Sequence, residues 1–197
     1  MEAVEPIRHK TSIAMMKRIL KARSPRDFAL FTLGLNTGLR ISDLLSLTVG
    51  DVLAGAGTRL RIAHRLSLRE RKTGKRRNIM LNSTARDALA LYLRTRERRY
   101  PEDPLFLSRK HEKDGSLRTL SRAWAYCIIV NAARTAGISS RIGTHTMRKT
   151  FGYFRYTAGV PVEQLMKIFG HASPEITLAY IGITQEEIDE TYTDFPL

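Results

Sequence analysis

Thr144-His145-Thr146-Met147-Arg148, then Phe169-Gly170-His171, then Tyr180: the reading of the chain turns on this stretch of its last third. The spacing predicts a helix from about Thr144 to Ala158. On it Met147, Phe151, Phe154 and Ala158 recur at intervals of four, three and four residues and make one apolar stripe. His145 and Arg148 are three apart and share a different face, on which Gly152 leaves room for close approach. A core histidine belongs on the apolar stripe, and this one is off it. The helix is therefore expected to offer an imidazole and a guanidinium to a group outside the core. A guanidinium fork suits a phosphate or a carboxylate, which it grips bidentately. His171 and Tyr180 add a second imidazole and a phenol within one short segment.

The charge balance says which anion to expect. The 197 residues hold 33 Lys and Arg against 19 Asp and Glu, a formal net charge of +14. Residues 59–99 carry fourteen of those cations and only three acids, Glu70, Asp87 and Glu97. The last fourteen residues, 184–197, carry five acids and no Lys or Arg. Such an asymmetry points to a polyanionic partner, with nucleic acid ahead of an anionic membrane. Cys127 is the one cysteine, within an apolar helical run beside Trp124 and Ile128, which excludes a disulfide framework and predicts a buried thiol. No apolar run reaches membrane-spanning length and no leader-like apolar region follows the N-terminus, so an intracellular, cytoplasmic protein is expected.

Upstream of the deciding stretch, residues 1–10 read as a polar lead-in and Ser12–Lys21 as an amphipathic helix. Ser24-Pro25 opens a helix that is apolar nearly all round and hence buried; Asn36-Thr37-Gly38 breaks it. Arg40 then starts the next helix in an interior neighbourhood, where it needs an anion. Residues 59–68 and 78–81 alternate as strands do, and Arg71-Lys72-Thr73-Gly74-Lys75-Arg76-Arg77 between them makes a basic hairpin tip. Ser83–Arg99 reads as a helix with an arginine-rich exit, Leu105–Leu107 as a short extended piece, Lys110–Ser116 as a loop, and Thr119–Ala136 as a helix packed through Leu120, Trp124, Cys127 and Ile128. Two further helices follow, one through Leu165 and Phe169, one from Pro174 through Tyr180. The fold class is mainly α with a small antiparallel sheet.

In order, Arg40, Lys72, His145, Arg148, His171 and Tyr180 resemble the catalytic set of the tyrosine recombinases, the phage-integrase type. Thr37-Gly38-Leu39-Arg40-Ile41-Ser42-Asp43-Leu44 is similar to the family's first arginine box, Lys72-Thr73-Gly74-Lys75 to its hairpin lysine, and His145-x-x-Arg148 with Gly170-His171 and Tyr180 to its second box. The resemblance spans nearly the whole chain. It implies one catalytic domain over 1–197, with 1–10 as lead-in and 184–197 as acidic tail, and without the N-terminal core-binding domain that most members carry.

The resemblance implies transesterification at a DNA phosphodiester. Tyr180 is then the nucleophile, and His145, which titrates near operating pH, is the acid/base. Arg40 and Arg148 clamp the non-bridging oxygens, Lys72 protonates the leaving 5′ oxygen with Lys75 as its alternative, and His171 bonds the phosphate or orients the site. Arg71, Lys75, Arg76, Arg77 and Lys149 are expected to contact DNA. One ester replaces another, so neither ATP nor another cofactor is required, and no metal site is expected. The expected partners are double-stranded DNA and further copies of the chain in a dimeric or tetrameric synapse, with the acidic tail docking on a neighbouring copy. Two other readings share the basic face: a DNA-binding accessory protein that does not cut, and relaxation of DNA in the manner of a type IB topoisomerase.

Overall fold

The computed structural model describes residues 4–55, 61–187 and 189. Its axis is helix α2 (Pro25–Thr37). Ser24 caps it, its side-chain oxygen accepting from Asp27 N at 3.4 Å, and Pro25 in the first turn presets the backbone angle. Ala29 to Gly34 are buried without a break. That is possible because α1 (Lys10–Arg23), α4 (Ser83–Arg94) and α6 (Thr146–Thr157) all pack on α2. Gly38 ends the helix at φ 61°, and a Cβ there would lie 2.6 Å from the Phe151 ring. A left-handed turn pressed against α6 leaves room for glycine alone. Helix α3 (Ile41–Leu45) starts three residues later with Arg40 as its first flanking residue, as the sequence implies.

The basic segment folds as strands β1 (Arg65–Arg69) and β2 (Arg76–Met80), antiparallel, with Leu66 opposite Ile79 and Leu68 opposite Arg77. Helix α4 then stops at Arg94, five residues before the expected end. The reason is a buried carboxylate. Asp103, 3% exposed, pairs with Arg96 at 3.3 Å and Arg98 at 3.1 Å, while Arg96 also donates to the Pro104 carbonyl at 2.9 Å. Part of the basic excess is thus spent on pinning a turn, because a buried acid is tolerated only when paired.

A second hairpin, β3 (Leu107–His111) with β4 (Leu117–Thr119), occupies the stretch read as an extended piece and a loop. Its residues are polar and mostly exposed, so no alternation announces it. In α5 (Arg122–Thr135) the inward face is Ala125, Ile129, Ala132 and Ala133. Trp124 and Tyr126 are exposed, and so is Cys127. The buried thiol is therefore a misreading: alanines let α5 lie close to the core, and the bulkier side chains turn out by one position. Helices α7 (Val162–Phe169) and α8 (Pro174–Ile181) complete the chain.

The fold is mainly α with a small antiparallel β1–β2 sheet, as expected, and a second small hairpin that was not. Its apolar interior has two parts. A large core surrounds α2, and a small cluster of Leu165, Phe169 and Ile181 lies under α7 and α8. The lead-in is part of the packed structure too, with Ile7 3% exposed. Residues 188 and 190–197 of the acidic tail lie outside the described residues, but Glu187 pairs with Arg8 of its own chain at 2.7 Å. Among the described residues no helix is long and apolar enough to cross a membrane.

Candidate active site

Two guanidiniums meet where α3, α6 and α7 come together. Arg148 Nη2 donates to the Phe169 carbonyl at 3.1 Å and Arg40 Nη2 to the same oxygen at 3.4 Å. Arg148 Nη1 also donates to the Gly38 carbonyl, and Arg77 Nη1 to the Ile168 carbonyl at 2.7 Å. Ile168 and Phe169 end α7, and the last carbonyls of a helix carry partial negative charge, which suits three arginines. This corrects the expected aim of the α6 polar face. Arg148 is 3% exposed and is partnered from within. Gly152 permits it, since a Cβ there would come within 2.5 Å of Ile181 Cγ2 and 2.7 Å of Phe169 Cζ. The close approach read from the sequence is made by α7 and α8 themselves.

Arg40 has its anion in Glu70, 5% exposed, with Oε2 at 3.1 Å from Nη1. Glu70 also takes the Thr73 hydroxyl at 2.6 Å and lies 3.6 Å from Arg77. Burial pushes its carboxyl upward, but the Thr73 hydroxyl with Arg40 and Arg77 outweighs that and holds it below the usual carboxylate range. Fully buried Asp43 accepts from Arg71 N at 2.9 Å and so pins the β1–β2 hairpin to α3. Neither acid stood out in the sequence; the available signal was an acidic residue at a hairpin otherwise basic. Among the described residues Arg40 Nη1 is buried and has no aligned hydrogen-bond acceptor. It faces Glu70 but keeps donor capacity for a further oxygen.

Tyr180, half-buried on α8, lies against this pair. Its ring centroid is 5.4 Å from that of Phe169 and 5.0 Å from the His171 ring, and the Arg148 guanidinium carbon lies 4.7 Å from the same Phe169 ring. Burial raises the phenol's pKa, with Arg148 and Arg40 opposing the rise. His171 follows the left-handed Gly170, and its Nδ1 meets the buried Thr177 hydroxyl at 3.1 Å, which fixes the ring. The sequence did not single out Thr177. His145 stands at the surface as the residue before α6. Partial loss of water round its ring, then the charges of Arg122, Arg148, Lys149 and Arg40, lower its pKa. His171 is lowered by burial and then by the same two arginines. Arg122, beside His145 at the start of α5, is a member of this basic rim that the sequence did not single out.

The remaining sequence candidates divide. Lys72 and Lys75 are exposed on the hairpin turn, and neither side chain forms a hydrogen bond or an ion pair among the described residues. Arg71 and Arg76 are exposed beside them. Arg77 is held by Ile168 and Glu70. Lys149 is 8% exposed, with its ammonium 5.2 Å from the Tyr180 ring centroid, facing inward where a DNA contact was expected. The structure therefore gathers Arg40, Arg148, His145, His171 and Tyr180, and carries the two lysines on the hairpin beside them.

Comparison with known proteins places the chain in a family. The model of the phage integrase family matches residues 7–187. The chain is 36% identical to the probable integrase/recombinase YoeC of Bacillus subtilis (strain 168) over 196 residues, 99% of this chain and 98% of that one. It is 29% identical to the tyrosine recombinase XerD of Listeria monocytogenes serotype 4b (strain F2365) over 175 residues, covering 86% of this chain and 54% of XerD. Among solved structures, the XerH site-specific recombinase bound to a palindromic difH substrate superposes with a TM-score of 0.71 at 23% identity, over 93% of this chain and 50% of XerH. The chain thus spans nearly all of YoeC and about half the length of XerD and XerH.

Proposed function

This chain belongs to the phage integrase family, and from that premise we propose that it cuts and rejoins double-stranded DNA as a tyrosine-type site-specific recombinase, its 197 residues forming one catalytic domain. The observation that carries the reading is the pair of guanidiniums converging beside a half-buried phenol. The DNA phosphate takes the place beside Tyr180 where Arg40 and Arg148 still have donors to give. Tyr180 Oη attacks phosphorus, the Oη–P bond forms and the P–O5′ bond breaks. His145, neutral at pH 7 because its pKa is lowered, accepts the phenol proton. A hairpin lysine, Lys72 or Lys75, gives its proton to the departing O5′. The two arginines stabilise the charge that builds on the non-bridging oxygens, which is the main task in phosphoryl transfer. The product is a 3′-phosphotyrosyl link with a free 5′-hydroxyl, and reversal on another 5′ end completes strand exchange. The ester energy is conserved, so no nucleotide is consumed, and the guanidiniums do the electrostatic work of a metal ion.

Affinity rests on phosphate contacts from Arg71, Lys72, Lys75 and Arg76 on the hairpin and from Arg122, hence falls steeply with salt. Strand exchange between two duplexes needs more than one active site, so assembly of copies on DNA is part of the reading. The test is to incubate the protein with supercoiled plasmid in EDTA, quench with SDS and measure protein covalently bound to DNA. Attachment is expected with the parent chain and is expected to be absent in Tyr180→Phe. Attachment that survives in Tyr180→Phe would overturn the assignment of the nucleophile. No attachment by either protein, including on a nicked substrate that traps the intermediate, would favour an accessory protein that binds without cutting.

A further inference from the structure

Resting on the reading of Tyr180 as nucleophile, a second question is what holds Tyr180 at the arginines. It lies one residue before the end of α8, and α8 belongs to the small cluster rather than the main core. The segment before α1 supplies a hold. Ile7 N donates to the buried Thr150 hydroxyl of α6 at 2.8 Å. Pro6 lies against Gly182, the residue that ends α8, so closely that a Cβ on Gly182 would be 3.0 Å from Pro6 Cδ. Arg8 then joins three elements. It donates to the Gly182 carbonyl and to Glu187 Oε1 at 2.7 Å, and its guanidinium carbon sits 5.0 Å from the centroid of the Tyr153 ring on α6. Glu187 closes the ring of contacts, accepting from the Tyr153 hydroxyl at 3.1 Å and from Thr184 N at 2.9 Å.

We propose that Arg8 and Glu187 are positioning residues for Tyr180: they clasp the end of α8 to α6, the helix that carries Arg148 and follows His145, and so set the phenol's distance from both. None of Arg8, Glu187 and Tyr153 reaches the reacting atoms. One exposed ion pair does little for stability, but this one is half-buried and shares a carbonyl, a phenol and a ring face. Its work is geometric. A small misplacement of a reacting group costs far more in rate than in folding. Among the described residues, the groups that face the clasp are the Gly182 carbonyl from the end of α8, Tyr153 from α6 and Thr184 from the following turn.

The experiment compares the full chain with Arg8→Ala, Arg8→Lys, Arg8→Glu, Glu187→Gln and the exchanged pair Arg8→Glu with Glu187→Arg. On nicked plasmid at saturating concentration, Arg8→Ala and Glu187→Gln are expected to slow covalent attachment about ten- to a hundredfold. DNA affinity and its salt dependence stay within twofold of the parent. Arg8→Lys recovers part of the rate, and the exchanged pair does better than the single Arg8→Glu change. Amide hydrogen exchange of the free protein gives a readout without chemistry: residues 181–187 exchange faster in Arg8→Ala while α2 does not change. Attachment at the parent rate in both single variants overturns the proposal, as does a loss of rate matched by an equal loss of DNA affinity. If attachment persists in Tyr180→Phe, the nucleophile reading fails and the positioning role falls with it. The exchange data then show separately whether the clasp exists.

Discussion

The core around α2 and the small cluster under α7 and α8 solve different problems. In the first, Phe31, Leu30 and Leu33 are fully buried among side chains from α1, α4 and α6, and position is overdetermined. In the second, three buried residues carry two site residues, His171 and Tyr180, against α6. What joins the two is polar: Arg40 and Arg148 on the Phe169 carbonyl, Arg77 on the Ile168 carbonyl, and a glycine at 152 where nothing larger fits. Arginines that we read as phosphate ligands are thus also the mortar of the site in the free protein. On that reading a phosphate oxygen meets guanidiniums already aimed, with donors still to give, so binding requires little rearrangement of charge.

The contrast is sharpened most by damaging the large core. Phe31→Ala is expected to lower stability by about 3–5 kcal/mol, as removal of a fully buried ring does. The fraction that stays folded should attach to DNA at the parent rate, because Phe31 belongs to the large core and not to the cluster. Urea denaturation and attachment per folded molecule check this; a rate that drops along with stability would mean the two regions are one cooperative unit. The complementary change is Gly152→Ala. Its methyl meets Ile181 Cγ2 and the Phe169 ring, both in the cluster. Overpacking of this kind costs about 1–3 kcal/mol, less than the Phe31 change, yet attachment should fall at least tenfold because the ring that Tyr180 leans on is displaced. Equal rates for Gly152→Ala and the parent would show that Tyr180 tolerates movement of its support.

The same contrast explains what was legible from residues alone. The α2 core announces itself: a serine-proline start, an unbroken apolar run and a glycine stop are local signals, and local signals survive to the folded state. The small sheet at β1–β2 follows from alternation. The second hairpin does not, because a strand exposed on both faces has no period to read. At the site, the residue types in order name Arg40, His145, Arg148, His171 and Tyr180 as candidates, and the fold brings these five together. Their orientations were not legible. Arg148 was placed on an outward face because α6 alone has one apolar stripe, whereas burial of its polar face depends on α7 and α8 folding back over Gly152. Lys149 joins the expected DNA contacts for the same reason. Glu70 and Asp43 escaped because a carboxylate paired across 30 or so positions leaves no mark nearby.

The last test asks how far the site's charge belongs to the free protein and how far DNA changes it. His145 and His171 both sit below the ordinary imidazole range, His145 through partial burial and then Arg122, Arg148, Lys149 and Arg40, and His171 through burial and then Arg148 and Arg40. In the unfolded chain these imidazoles take up a proton first, near pH 6.5. The fold therefore loses nothing from them above that pH and is weakened as pH drops below it, when charging them in place opposes folding. For attachment, His145 as base must be neutral. At limiting DNA the rate is expected to hold from pH 8 down past 6.5 and then to fall toward tenfold per pH unit, reporting the free protein. A phosphate seated between Arg40 and Arg148 offsets the cations that depress both histidines, so at saturating DNA the fall should begin at higher pH. The shift is upward because an added anion favours imidazolium. His145→Gln should flatten the acid limb in both conditions while His171→Gln leaves it. An acid limb that stays in His145→Gln would move the proton acceptor to another group, and identical limbs at limiting and saturating DNA would mean that the phosphate is not seated within the field of the two arginines.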